Sequence, residues 1–277
     1  MTAVLTRPVA FDVCGDLPTG TTVLEASAGT GKTFTIAALA ARYVAEGHAR
    51  LPELLLVTFG REATQELRER VRERLLSAER ALRDPAAARA GADSVSALLA
   101  NVPDDEAALR RRRLTAALAE FDAATIATTH QFCGQMLTAL GIAGDTADAV
   151  FVESVDDLVV EVVDDFYVRK FAAPGAGSPA FERSEALRLA RRAVGDPQAR
   201  LEPTGATGTA ATRHAFATAV RGEVERRKRV RGLHTYDDLV TRLYDALADP
   251  VRGGAARLRA RYRVVLVDEF QDTDPLQ

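Results

Sequence analysis

An open α/β sheet of parallel strands flanked by helices, with an inserted and mainly helical subdomain, is the fold class this sequence predicts. Two observations predict the sheet. Four short apolar or β-branched runs, Thr21–Glu25, Leu54–Phe59, Ala124–Thr129 and Val264–Glu269, each end in a polar turn, and their lack of polar alternation fits strands buried on both faces. Helical patterns fill the intervals, and strand–helix alternation implies right-handed crossovers between parallel neighbours. A third observation predicts the insertion: from about residue 145 to 235 the alternation stops and the pattern is helical. The expected division is 1–144 for the first part of the sheet domain, 145–235 for the insertion and 236–277 for the return to the sheet.

In chain order, the segment Lys32 to Tyr43 is rich in Ala, Ile and Leu and predicts a helix directly after Gly31. Glu62 to Leu82 sets Ala63, Leu67, Val71 and Leu75 four apart among dense Arg and Glu, an amphipathic surface helix supported by i,i+4 pairs. Residues 84–118 are Ala-rich with an Arg110–Arg113 run and read as one or two surface helices. Two Gly- and Pro-bearing stretches, Ala172–Pro179 and Pro203–Ala211, punctuate the insertion.

Composition excludes several classes. The 277 residues are 47% hydrophobic and 27% charged, as in a globular protein, and the net charge of −3 neither advertises nor forbids a nucleic-acid partner. Cys14 and Cys133 are far apart, without the spacing of a zinc site, so a reducing cytoplasm is expected. The N-terminus has no apolar leader, and no apolar stretch approaches the roughly 18 residues of a membrane span.

Two segments carry chemistry. Ala26-Ser27-Ala28-Gly29-Thr30-Gly31-Lys32-Thr33 lies between a predicted strand and a predicted helix, with the spacing of a phosphate-binding loop and alanine at its first glycine position. Gly29 and Gly31 let the backbone curl so that amide N–H groups face phosphates, and the helix N-terminus adds its positive end. Lys32 should reach the β- and γ-phosphates of ATP, and the Thr33 hydroxyl should bind Mg²⁺. The bland alternative is a glycine turn that happens to precede a helix. The second segment, Val264 to Gln277, delivers Asp268 and Glu269 to the carboxyl end of an apolar strand, where ligands bind in open α/β sheets. Asp268 would hold the Mg²⁺ shell, and Glu269 would polarise the attacking water. The bland alternative is an acidic turn in which Asp272 or Thr273 caps a helix.

The string Asp268-Glu-Phe-Gln-Asp-Thr-Asp-Pro-Leu-Gln277 resembles motif II of the UvrD/Rep/RecB helicases of superfamily 1. Val57-Thr-Phe-Gly-Arg-Glu-Ala-Thr-Gln-Glu-Leu-Arg-Glu-Arg70 resembles their motif Ia, with Gly60 and Arg61 departing from the usual residues. Thr125-Ile-Ala-Thr-Thr-His-Gln-Phe-Cys133 resembles their Thr-x-His-x-Phe-Cys element, and Thr235-Tyr-Asp-Asp-Leu239 the segment leading back to motif II. Within the superfamily, Leu24 to Ala37 is especially similar to the RecB subunits of exodeoxyribonuclease V.

The resemblance implies a RecA-like P-loop domain, ATP and Mg²⁺ as cofactors, and DNA helicase activity in double-strand break repair and recombination. It also implies RecC-like and RecD-like partner subunits. Gln271 joins Lys32, Asp268 and Glu269 as a candidate catalytic residue. Candidate contacts to single-stranded DNA are Thr58, Phe59, Thr129, His130 and Phe132, where backbone amides and hydroxyls suit phosphates and rings suit bases. His130 also reads as a hydrogen-bonded structural residue, and Phe132 as core. The basic runs Arg110–Arg113 and Arg226–Arg231 are either phosphate contacts or solvated helix faces. No segment matches the later helicase motifs or a nuclease domain, so an N-terminal portion of a larger protein with little turnover of its own is expected. A free-standing nucleotide-binding or interaction module, and a UvrD- or AddA-like motor without RecC and RecD, are the alternatives.

Overall fold

The computed structural model describes residues 10–27, 29, 31–141, 150–172, 177–205, 207–251 and 253–277. They group into two compact units, 1–136 with 243–277 and 137–242.

The first unit is built on three parallel strands in the order β2–β1–β5, where β1 is Leu54–Thr58, β2 is Thr125–Thr128 and β5 is Val264–Val267. Leu56 of β1 faces Ile126 on one side and Leu266 on the other, so β1 is central. All five residues of β1 and all four of β2 are buried, as runs without polar alternation require. Helices α1 (Lys32–Ala45) and α2 (Arg61–Ala81) pack on this sheet, followed by three helices where one or two were expected: α3 (Pro85–Ala90), α4 (Ser94–Ala100) and α5 (Asp104–Ala119). The inward stripe of α2 is Thr64, Leu67, Val71, Leu75 and Ala78. Ala63 is exposed, because helical periodicity with three- and four-residue steps from Leu67 selects Thr64.

Two expectations fail here. Thr21–Glu25 forms no strand: the segment is extended and exposed, with Val23 at 72% and Leu24 at 40% accessibility. A strand needs a hydrogen-bonded neighbour, and among the described residues none pairs with it. Nor is β5 buried on both faces, since Val265 and Val267, two apart on one face, are 52% and 40% exposed. The segment before the phosphate-binding loop is anchored further upstream, by Val13, Cys14 and Leu17 packed on the core and by polar bonds. Arg42, buried in α1, donates to the carbonyls of Val13 (2.7 Å) and Gly15 (2.6 Å), and the Tyr43 hydroxyl donates to that of Pro18 at 2.7 Å.

The second unit holds α7 (Asp156–Phe171), α8 (Arg183–Gly195) and α9 (Gly208–Arg231) around a core of Leu158, Val159, Val162, Val163, Ala186, Ala190, Val220 and Val224. Its two-residue strands, β3 (Val150–Phe151) and β4 (Leu233–His234), pair in parallel, a feature with no sequence signal at that length. Helix α6 (Thr129–Ala139) follows β2, α10 (Tyr236–Ala248) follows β4, and α11 (Gly254–Arg261) precedes β5. No helix among the described residues is long and apolar enough to cross a membrane.

Candidate nucleotide site and DNA-facing groove

Glycine is required where the loop enters α1. Gly29 and Gly31 sit at φ 76° and 88°, in the left-handed region that a side chain disfavours. Gly31 is the N-cap of α1, contributes no capping side chain, and is followed by a first turn without an acidic residue. The positive helix end is therefore not neutralised from within α1. Ala26, Ser27 and Gly29 are exposed, and Thr33 is half-buried one residue into the helix. Ala28 and Thr30 lie outside the described residues.

The two chemical segments, more than two hundred residues apart in the chain, meet. Lys32 Nζ lies 3.0 Å from both carboxylate oxygens of Glu269. Parallel pairing of β1 and β5 produces this meeting, because it sets the carboxyl end of β5 level with that of β1. The Asp268 N–H donates to the Val57 carbonyl at 2.8 Å. Beyond it Glu269 adopts φ 51°, ψ 41°, a left-handed conformation and the one positive φ outside glycine among the described residues. Such backbone costs a non-glycine residue about 1–2 kcal/mol and concentrates at functional sites. Asp268 Oδ1 accepts the Glu269 N–H at 3.0 Å, and the Gln271 amide donates to the Glu269 carboxylate.

The adjacent carboxyls are driven apart in acidity. Burial pushes Asp268 up, and the neighbouring Glu269 charge adds to the push. The hydrogen bond from Gln271 and the contact with Lys32 hold Glu269 down. At neutral pH Glu269 is thus ionised, and while Lys32 and Gln271 hold it the carboxylate is a weaker base than a free glutamate. The donors available to a cation, the Thr33 hydroxyl and the Asp268 carboxylate, are hard oxygens that suit Mg²⁺, an ion that keeps several waters and needs few protein ligands.

The residues expected to face DNA scatter. Thr58, at the end of β1, is 1% exposed, and its Oγ1 has no hydrogen-bond partner among the described residues, an unfavourable state for a buried hydroxyl. Phe59 follows it, half-buried. Thr129 opens α6, His130 is half-buried beside it, and Phe132 turns its ring to the Tyr262 ring, 6.1 Å between centroids. Gln131 serves the helix start: its Oε1 accepts the Thr128 N–H at 3.1 Å, while its own N–H donates to Thr128 Oγ1 at 3.2 Å. This reciprocal cap gives the element a structural task besides any contact with a ligand.

None of these five residues lines the groove that opens nearby. An open groove of about 450 Å³ is lined by Arg61, Thr64, Gln65 and Arg68 of α2, Ile126 of β2, and Gln131 and Gln135 of α6. Two guanidiniums and three amides line one concave surface, with the Gln65 amide already donating to the Glu69 carboxylate at 2.8 Å. Sequence reading missed these residues, though their signal was present: Arg61, Gln65 and Arg68 recur at helical spacing on α2, as do Gln131 and Gln135 on α6.

The basic runs have occupations of their own. Arg110 pairs with Glu106, Arg111 with Glu79, and Arg113 donates to the Ala45 carbonyl at 2.9 Å. In the second unit, Arg227 is 6% exposed and bonded to Glu161, Asp165 and Glu223. Lys228 reaches Glu225 and Asp238, and Arg231 reaches Glu161. Asp238 also accepts the Thr235 N–H at 2.7 Å, capping α10, so the Thr-Tyr-Asp-Asp-Leu segment is tied to α9 through Lys228.

The comparisons with known proteins fit this geometry. Residues 13–277 match the model of the UvrD/REP helicase N-terminal domain. The chain is 53% identical over 272 residues to the RecBCD enzyme subunit RecB of Mycolicibacterium smegmatis and 49% identical over 272 residues to that of Mycobacterium tuberculosis. Each alignment covers 96% of this chain and 24% of the relative, so the chain spans about a quarter of the length of these proteins. The Escherichia coli RecB subunit is 39% identical over 126 residues, covering 43% of this chain and 10% of that subunit. By the extent of the family match, the chain belongs to the UvrD/REP helicase N-terminal domain family.

Proposed function

We propose that this chain is the ATP-binding motor portion of a RecB-type, ATP-dependent DNA helicase that acts in double-strand break repair and recombination. The observation that carries the reading is the contact between Lys32 and Glu269, which joins the glycine loop to the acidic end of β5. In this reading the domain is a RecA-like P-loop unit, 1–144 with 236–277, and residues 145–235 are its insertion. ATP is the nucleotide, held by the backbone of residues 26–33 and the N-terminal amides of α1, with Lys32 on the β- and γ-phosphates.

Thr33 and Asp268 would hold Mg²⁺, which when bound neutralises developing phosphate charge. Lys32 leaves the Glu269 carboxylate as it engages phosphate, and Glu269 is then available to orient and deprotonate the attacking water. Gln271 keeps that carboxylate in place. Single-stranded DNA runs over the carboxyl ends of β1 and β2. Thr58, Phe59, Thr129 and His130 are its proposed contacts, Phe132 a weaker one given its packing on Tyr262, and the polar groove beside them extends the path. RecC-like and RecD-like subunits are the proposed partners, and the cytoplasm the proposed compartment.

The test is binding of a fluorescent ATP analogue by the wild-type chain and by Lys32→Ala, each with and without single-stranded DNA. The reading expects binding that the substitution strongly weakens. Undiminished analogue binding by Lys32→Ala would refute the phosphate assignment.

A further inference from the structure

The exposed ring cluster at the β3–β4 pair has no part in the nucleotide site. Phe151 is 46% exposed and Val150 55%, although residues of this type in a strand usually pack inward. The Tyr236 ring lies nearly parallel to that of Phe151, 22° between planes and 6.5 Å between centroids, and the His234 ring approaches Phe151 at 6.1 Å. A cation belongs to the same neighbourhood. Arg242 makes no hydrogen bond or ion pair with another described residue, and its Nη1 is buried without a partner. Its charge acts on His234, whose pKa is held down first by burial and then by Arg242. Arg227, Lys228 and Arg231 of the same unit are all committed to carboxylates.

We propose that Phe151, backed by Tyr236 and accompanied by Arg242, forms a stacking seat for one unpaired nucleotide of single-stranded DNA on the helical unit. The proposal rests on the DNA-acting reading above. A half-exposed ring backed by a second ring offers its outer part to any base, and the half-buried Arg242 guanidinium, without an ion pair among the described residues, supplies positive charge near the adjoining phosphate. An added protein strand fits less well. The Val150 and Val152 N–H groups already donate to Gly232 and His234, which leaves only the main-chain groups of Phe151 for a ladder along the edge of β3 that no described strand pairs with.

The test uses the full chain and a single-stranded oligodeoxynucleotide carrying one 2-aminopurine, whose fluorescence falls on stacking. The wild type is expected to bind and quench it. Phe151→Ala should weaken binding about five- to hundredfold and relieve the quench, the effect typical of losing one base–aromatic stack. Phe151→Trp should restore both, and Arg242→Gln should lower the slope of log affinity against log salt by about one. Wild-type affinity and quenching in Phe151→Ala would overturn the seat and leave the DNA reading intact. No binding by the wild type at low salt would overturn both. Should Phe151→Ala melt early, Phe151→Trp and Arg242→Gln decide: an unquenched Trp variant with an unchanged Arg242→Gln salt slope overturns the seat.

Discussion

Replacing Glu269 by glutamine should tighten nucleotide binding. Lys32 is held by Glu269 at 3.0 Å, and a phosphate that recruits Lys32 has to displace that carboxylate. The cost of displacement is bounded by exposure. The two side chains are 31% and 34% accessible, and ion pairs this open to water shift an equilibrium by no more than about fivefold. Glu269→Gln keeps the shape and removes the competing charge, so the dissociation constant for an ATP analogue should fall about two- to fivefold. Hydrolysis should move the other way, by about a hundredfold or more, because the proposed general base is gone.

The assay is fluorescence titration with the analogue across a double-mutant cycle of Lys32→Ala and Glu269→Gln. In the Lys32→Ala background the gain should vanish, since nothing remains to be released. An equal gain in both backgrounds would mean that loss of one negative charge acts diffusely, not through the pair. No gain in the wild-type background would refute competition altogether.

Three further outcomes follow from the geometry. Gly31→Ala meets only Phe34 Cβ, at 3.9 Å, so its cost is confined to the left-handed φ of 88°; it should destabilise by about 1 kcal/mol in a urea melt, and Gly31→Asn by less. Leu56→Ala, at 1% exposure in the central strand, should cost about 3–5 kcal/mol in the same measurement, and a smaller loss would place β1 nearer the surface. The bonds from Arg226 and Arg227 depress Glu223 to about 2, below its unfolded value. The stabilisation from Glu223 is therefore complete above the ordinary glutamate range and is lost as pH falls toward about 2. Thermal melts across that window should show a steeper acid loss in the wild type than in Glu223→Gln.

How much of this was legible in the sequence depends on the range of the forces involved. β1 and β2 announced themselves because unbroken apolar runs fit a covered parallel sheet, β5 by the same signal although one of its faces is exposed, and the glycine loop and its lysine because Gly29 and Gly31 sit where a backbone must turn left-handed. Thr21–Glu25 carries the same composition yet forms no strand, because pairing depends on a neighbour and not on the run itself. The two-residue strands β3 and β4 lie below the length at which any period can be read. The basic runs were ambiguous because their carboxylate partners are distant: Arg227 and Arg231 find Glu161 across 66 and 70 positions. The groove's rows on α2 and α6 were each readable at helical spacing, but their meeting, with a single residue of β2 between them, was not.

The turn at Glu269 separates two kinds of carboxylate within one peptide bond. Asp268 is stitched to Val57 by the last ladder bond that β5 makes with β1 among the described residues, so it moves only if the sheet moves. Glu269, a residue later and left-handed, has departed from the ladder; its carbonyl accepts the Asp272 N–H at 2.9 Å, and its carboxylate is placed by Lys32 and Gln271. The site therefore holds one carboxylate fixed through the sheet ladder next to one placed by side-chain partners. A ligand that takes Lys32 removes a partner of the second and leaves the ladder bond of the first in place.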